Sequence, residues 1–95
     1  MAEFDVKLRI VNILGKGSCP SNHKIGDEFT IGDARLCNWA EHACLPFATA
    51  LRFGGYVPWK KEDNDTLTIS CPDGDNPVIF KLTRSLKLAL EKIDG

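Results

Sequence analysis

The chain has no strong excess of charge of either sign. Its 95 residues include 12 lysines and arginines and 13 aspartates and glutamates, and the two signs are interspersed. Surfaces that bind nucleic acid or anionic lipid concentrate positive charge on one face or along one segment. The composition therefore predicts that neither a nucleic acid nor a membrane is a partner of this protein.

Long apolar runs are also missing. No stretch approaches the roughly 20 apolar residues that a membrane-spanning helix needs, and the opening residues MAEFD lack the basic and apolar regions of a secretory signal. We therefore expect a cytoplasmic location. Hydrophobic residues make up 43% of the 95 positions. That content can bury one modest core, so residues 1–95 should form a single domain.

Closely spaced cysteine pairs are absent, although the chain contains four cysteines, Cys19, Cys37, Cys44 and Cys71. Structural zinc folds usually place their ligands in Cys-x-x-Cys pairs, and cysteines in a reducing cytoplasm rarely form disulfide bonds. The spacings of a phosphate-binding loop, a calcium loop and a nucleophile elbow are missing as well. Each cysteine is therefore a metal ligand, a reactive thiol or a small core residue.

What is present is a change of hydrophobic period along the chain. Alternating apolar residues predict β-strands at residues 5–14 and 24–31, and in the second strand Phe29 and Ile31 should face the core. Two further alternating runs, one through Leu67 and one through Phe80, flank the turn-forming segment PDGDNP and predict a hairpin.

Between these runs, the segment LCNWAEHACLPFATALRFGG has helical spacing. Asn38 and Glu41 resemble an N-terminal capping pair, and Asp33 is an alternative cap one turn earlier. Pro46 should kink or restart the helix, and the Gly-Gly pair should end it. The predicted core-facing stripe consists of Leu36, Trp39, Ala40, Ala43, Phe47, Ala50 and Leu51.

A second helix is predicted at the end of the sequence. Leu82, Leu86, Leu90 and Ile93 recur at helical spacing, which indicates a short helix over residues 85–93. The predicted order is strand, strand, helix, hairpin, helix. We therefore expect an α+β fold, in which a small, mainly antiparallel sheet packs against one central helix, with a short C-terminal helix.

Three cysteines are predicted to lie at the edges of these elements. Cys19 lies in a loop four residues before His23, Cys37 lies near the start of the central helix, and Cys71 ends a strand. Binding and catalytic side chains concentrate in loops and at element ends, and three thiolates with an imidazole could bind zinc or iron. The alternative is that these cysteines are small residues that fill gaps in the core. Cys44 lies beside the helical stripe and should be buried and inert.

Cys37 also has the strongest argument for reactivity. A thiol near a helix N-terminus lies close to unpaired amide hydrogens, which favour the thiolate. His23 could then act as its base or could orient it. The alternative interpretation is that His23 is an exposed loop residue that hydrogen-bonds the backbone.

Four short segments together resemble a family of small, uncharacterised prokaryotic proteins. They are CPSNHKIGDEF, the LC before the helix, ALRFGG followed by PW, and CPDGDNPVIFKLTR, so the resemblance extends over residues 6–84. Asn22 departs from the family pattern, which often has glycine there. Asparagine adopts positive φ more readily than other non-glycine residues, so the turn should survive. The resemblance implies no established activity, but it implies one set of site residues: Cys19, His23, Cys37 and Cys71.

The sequence is compatible with three functions. The leading hypothesis is a metal-binding or small-molecule-binding protein whose pocket uses Cys19, His23, Cys37 and Cys71, with zinc or iron as the candidate metals. The main alternative is a thiol-dependent enzyme with Cys37 or Cys19 as its nucleophile. The third is a non-catalytic interaction module whose contact surface is formed by the aromatic residues of FGGYVPW. None of these patterns indicates an oligomeric state.

Overall fold

The computed structural model describes residues 3–59 and 63–86 of the chain. Its elements, in chain order, are β1 (Phe4–Ile13), β2 (Glu28–Phe29), α1 (Asn38–Arg52), β3 (Thr66–Ser70) and β4 (Val78–Leu86). The predicted α+β class, with one central helix and a small antiparallel sheet, is therefore confirmed.

The four strands form one antiparallel sheet in the order β2-β1-β4-β3. Period-two alternation places one row of apolar side chains from β1 and β4 on the same face, where Leu8 pairs with Leu82 and Ile10 with Phe80. All four of these side chains are fully buried. Helix α1 contacts β1, β3 and β4, so the core lies between this face and the helix.

Small side chains on α1 face the sheet. Ala40, Cys44, Ala48 and Leu51 are buried, at the four-, four- and three-residue spacing of one helical face. Trp39 was predicted to join this face, but its side chain is 72% exposed. The helix is rotated so that alanine and cysteine lie against the sheet, and this close packing leaves no room for an indole. No helix within residues 3–59 and 63–86 has the length and hydrophobicity to cross a membrane.

The N-cap lies one residue before the predicted cap, Asn38. Cys37 occupies the N-cap position and Asn38 is the first helical residue. The Glu41 carboxylate accepts a hydrogen bond from the backbone N–H of Gly32 at 2.6 Å, so it ties α1 to the segment after β2 and does not complete a capping pair with Asn38. The helix also runs through Pro46 without a restart.

Two glycines end the helix, as the sequence predicts. Gly54 has φ +84°, a left-handed conformation that glycine adopts without steric cost. Its N–H donates to the Leu51 carbonyl at 3.2 Å, and the Gly55 N–H donates to the Ala50 carbonyl at 2.8 Å. These two bonds form a Schellman motif and turn the chain away from α1.

Arg84 joins the C-terminal end of α1 to the sheet. Its side chain is only 8% exposed, and one guanidinium nitrogen donates to the carbonyls of Leu51 at 3.2 Å and Gly55 at 2.6 Å. Its Nε donates to the Asp65 carboxylate at 3.0 Å, and the guanidinium carbon lies 4.8 Å from the centre of the Phe4 ring. A buried cation therefore meets the negative end of the helix dipole.

The second strand is shorter than the predicted 24–31, because β2 contains two residues. Phe29 is buried, but Ile31 is 37% exposed and does not face the core. The reason is a turn directly after the strand, where the Asp33 N–H donates to the Thr30 carbonyl at 3.1 Å.

The start of the predicted C-terminal helix at 85–93 is wrong. Ser85 and Leu86 belong to β4, where Ser85 pairs with Asp5 and Leu86 with Phe4 of β1. Because β1 starts at Phe4, β4 stays paired as far as Leu86, and the strand includes residues that helical spacing assigned to the helix. Residues 87–93 of the predicted helix lie outside the described residues.

Candidate functional site

A cavity of about 300 Å³ lies where the loop between β1 and β2, the start of α1 and the turn between β3 and β4 come together. Its wall is mainly apolar, with contributions from Pro20, Pro72, Val78 and Phe80. The structure places the whole predicted set in this wall, namely Cys19, His23, Cys37 and Cys71.

A tight turn positions the first of these residues. The Cys19 carbonyl accepts a hydrogen bond from the Asn22 N–H at 2.8 Å, and Asn22 has φ +67°. The turn was predicted to form with asparagine at this position. Asparagine supports the left-handed conformation here, so the turn that delivers Cys19 and His23 to the cavity is kept.

We expect Asn22→Ala to lower the free energy of unfolding by about 1 kcal/mol, because alanine has no local hydrogen bond to offset left-handed backbone strain. Asn22→Gly should lower it much less. Urea unfolding of both variants measures the difference. Equal losses in the two variants would show that the asparagine side chain matters, and not the backbone conformation.

His23 holds the loop against the start of the helix. It is 8% exposed, and its Nε2 accepts a hydrogen bond from the Cys37 backbone N–H at 3.1 Å. Its ring packs against Phe29, with 4.9 Å between the ring centres. The interpretation of His23 as an exposed residue is therefore wrong, although its hydrogen bond to the backbone is confirmed.

This hydrogen bond limits what His23 can do chemically. An Nε2 atom that accepts a hydrogen bond carries no proton, so the imidazole is neutral and its proton lies on Nδ1. The Nε2 lone pair is directed at the Cys37 N–H and is not available to a metal ion or to a thiol proton. His23 positions the Cys37 backbone, which places the sulfur at the first turn of α1.

Cys37 is half-buried in the cavity wall at the N-cap position. The neutral thiol makes no capping hydrogen bond. Burial by itself raises the pKa of this thiol, but the Ser21 side chain and the backbone N–H groups of Ala40 and Trp39 stabilise the thiolate. These donors outweigh burial, so the pKa of Cys37 lies below the ordinary value of a cysteine.

Cys71 closes the hairpin between β3 and β4. Its N–H donates to the Val78 carbonyl at 2.9 Å, and its Sγ accepts a hydrogen bond from the Val78 N–H at 3.2 Å. Cys19, Cys37 and Cys71 are all partly buried and pack against the core. Cys71 therefore has a structural role in the turn as well as a place in the cavity wall.

Cys44 lies apart from the cavity wall and is fully buried among core residues. The predicted burial is confirmed. The pKa of the Cys44 thiol is raised to about 12. Desolvation is the larger cause, and the nearby Cys71 sulfur is the smaller one. A thiol in this environment stays protonated at neutral pH.

The four cavity residues do not form a ligand set for zinc or iron. Within residues 3–59 and 63–86, no group of three or more histidine, cysteine, aspartate or glutamate side chains comes together in a way that could hold a metal ion. The hydrogen bond from the Cys37 N–H occupies the Nε2 lone pair of His23, which is one of the four predicted donors. Binding of zinc or iron by the predicted set therefore stays a prediction, without a grouped ligand set among the described residues to support it.

The cavity wall also contains residues that were not predicted as site residues, among them Ser21, Trp39 and Asp73. Ser21 lies inside the CPSNH segment, but its approach to Cys37 depends on how the loop folds back. Trp39 was assigned to the core because it fits a helical stripe. Asp73 could have been predicted as a site residue, because it lies two residues after Cys71 in a predicted turn.

The aromatic residues of the FGGYVPW segment are exposed. Phe53, Tyr56 and Trp59 are 51%, 67% and 62% exposed, and Trp59 meets Phe47 edge-on at 6.2 Å between ring centres. Their use as a contact surface for another protein stays a prediction.

We compared the chain with known protein families, with curated proteins and with solved structures, and none of the three comparisons found a match. The resemblance to a prokaryotic family therefore stays a prediction.

Proposed function

We propose that this protein binds a small organic molecule in the cavity and presents the Cys37 thiolate to it. The main support for this proposal is the position of Cys37 in the cavity wall. There the Ser21 side chain and the backbone N–H groups of Trp39 and Ala40 stabilise a negative charge on the sulfur. A cavity of about 300 Å³ is at the lower end of the range for small-molecule sites, and its apolar wall is typical of them.

The lowered pKa of Cys37 also favours a second candidate function, a thiol-dependent enzyme with Cys37 as nucleophile. In such a reaction the thiolate forms a bond to an electrophilic carbon. The electrophilic carbon belongs to a conjugated carbon–carbon double bond. As the new bond to sulfur forms, the π bond breaks, and its electron pair moves to the neighbouring carbon. That carbon then takes up a proton from water. His23 would position Cys37 in this reaction and would not serve as its base.

The pH dependence of alkylation tests the thiolate. We expect iodoacetamide to modify Cys37 with a midpoint below about 8.5, the pKa of a free cysteine, when the site is followed by peptide mass mapping. Ser21→Ala should raise this midpoint because it removes one thiolate partner. Ser18→Ala is the matched control, since Ser18 is exposed in the same loop. A wild-type midpoint at or above the free-cysteine value would overturn the proposal.

Reagent size tests the cavity. N-methylmaleimide should modify Cys37 much faster than a maleimide attached to a long polyethylene glycol chain, after each rate is divided by the rate with free mercaptoethanol. Cys37→Ser supplies the background from the other cysteines. Equal normalised rates for the two reagents would place the sulfur on an open surface and remove the ligand-binding interpretation.

A further inference from the structure

The described wall of the cavity contains an acidic side chain. Among the described residues that line it, Asp73 carries a negative charge, and neither lysine nor arginine is present. His23 is neutral because its Nε2 accepts a hydrogen bond. The chain as a whole has a net charge of −1, so there is no large net positive charge to offset this carboxylate.

The Asp73 carboxylate is held in place by its own turn. Its Oδ1 accepts hydrogen bonds from the backbone N–H groups of Asp75 at 2.8 Å and Asn76 at 3.1 Å. Asp73 is half-buried in the wall. A carboxylate fixed in this way meets an incoming ligand without losing side-chain entropy on binding.

An exposed aromatic residue lines the same cavity. Trp39 lines it and is 72% exposed, so much of this residue is open to solvent. Tryptophan is the side chain that attracts organic cations most strongly through its ring face. The combination of a carboxylate, an indole and apolar walls is complementary to a molecule with an apolar body and a positive charge.

We propose that the ligand of this cavity is a small organic cation, such as an alkylammonium compound, held by Asp73 and Trp39 with its apolar part against Pro20, Pro72 and Phe80. This inference rests on the proposed function, because it specifies the class of molecule that the Cys37 cavity takes. Anionic ligands, including phosphates and carboxylates, are disfavoured because the described wall offers no cationic side chain to offset their repulsion by Asp73.

Charged thiol reagents of similar shape test this proposal. Trimethylammonioethyl methanethiosulfonate and sulfonatoethyl methanethiosulfonate transfer a cationic or an anionic group to a thiolate, which displaces methanesulfinate and forms a mixed disulfide. Each rate at Cys37 is measured by peptide mass mapping and divided by the rate with mercaptoethanol. We expect a normalised preference for the cationic reagent of about tenfold or more, and it should fall as salt is added.

Two matched variants locate the source of the preference. Asp73→Asn keeps the Oδ1 acceptor of the turn but removes the charge, so it should reduce the cation preference severalfold without unfolding the hairpin. Asp75→Asn changes a charge in the same turn that does not line the cavity, and it should leave the preference unchanged. Trp39→Leu should also reduce the preference.

Each contrary outcome identifies what has failed. If Cys37 reacts readily with both reagents and shows no cation preference, the organic-cation proposal is overturned while the proposed function stands. A preference that survives Asp73→Asn overturns the assignment of Asp73. If Cys37 is unreactive toward both reagents, the proposed function is overturned, and the organic-cation proposal is overturned with it.

Discussion

In the folded protein, Cys44 should react with iodoacetamide at least about a thousandfold more slowly than Cys37. Burial raises the pKa of Cys44 to about 12, so on the order of one molecule in 10⁴ carries the Cys44 thiolate at pH 8. Its side chain is also fully buried in the core. The Cys37 thiolate is stabilised by Ser21 and the first helical amides and lies in the cavity wall.

Alkylation followed by mass mapping measures both rates in one sample. In urea the two cysteines should react at similar rates, because unfolding removes the difference in environment. Native-state labelling of Cys44 should therefore follow the small population of open molecules and should slow as stability increases. Native rates within tenfold of each other would show that Cys44 is accessible or that Cys37 is not activated.

The raised pKa of Cys44 also has a consequence for stability at high pH. The folded state favours the neutral thiol, so this contribution to stability is fully present below the unfolded pKa of about 8.5. It is lost as the pH rises toward the folded value of about 12. Cys44→Ala should lose less stability than the wild type over this alkaline range.

Hydrophobic alternation was sufficient to predict the sheet. Leu8 and Ile10 alternate with charged residues in β1, and Phe80 and Leu82 do so in β4, so a single register buries all four side chains. A shift by one residue would expose the whole row to solvent. Once β1 and β4 pair, their register therefore follows from the pattern, whereas the pairing itself was not predicted and the exact length of β4 depends on the length of its partner.

Helix rotation could not be predicted in the same way. Trp39 and Ala40 are adjacent, and both fit a broad apolar stripe. The choice between them depends on the space between α1 and the sheet, and that space accommodates Ala40 and Cys44. Local spacing carries no information about this distance, which is set by side chains on β1 and β4.

Position at element edges was enough to group Cys19, Cys37 and Cys71 in one cavity wall. It did not identify their individual roles. The hydrogen bond between Cys37 and His23 Nε2 and the bond from Val78 to the Cys71 sulfur depend on loop conformation. These contacts distinguish the roles of the two thiols, since Cys37 is positioned at the start of α1 and Cys71 closes a turn. Residue type and spacing are the same with or without these contacts.

The inner row of β4 continues past the apolar core to Arg84, two residues after Leu82 on the same face of the strand. We expect Arg84→Met to lower the free energy of unfolding by about 2–3 kcal/mol, because charge-assisted hydrogen bonds are lost. The Gly55 carbonyl loses the shorter of the two bonds, while the Leu51 carbonyl keeps the Gly54 N–H as a donor.

Arg84→Lys should lose part of this free energy, since lysine keeps the charge but lacks the planar group that contacts both carbonyls and the Phe4 ring. Asp65→Asn is the control for the ion pair alone. The Asp65 side chain is 64% exposed, so its loss should cost under about 1 kcal/mol. Urea unfolding measures all three variants. If Asp65→Asn proved as destabilising as Arg84→Met, the ion pair and not the helix carbonyls would account for the role of Arg84.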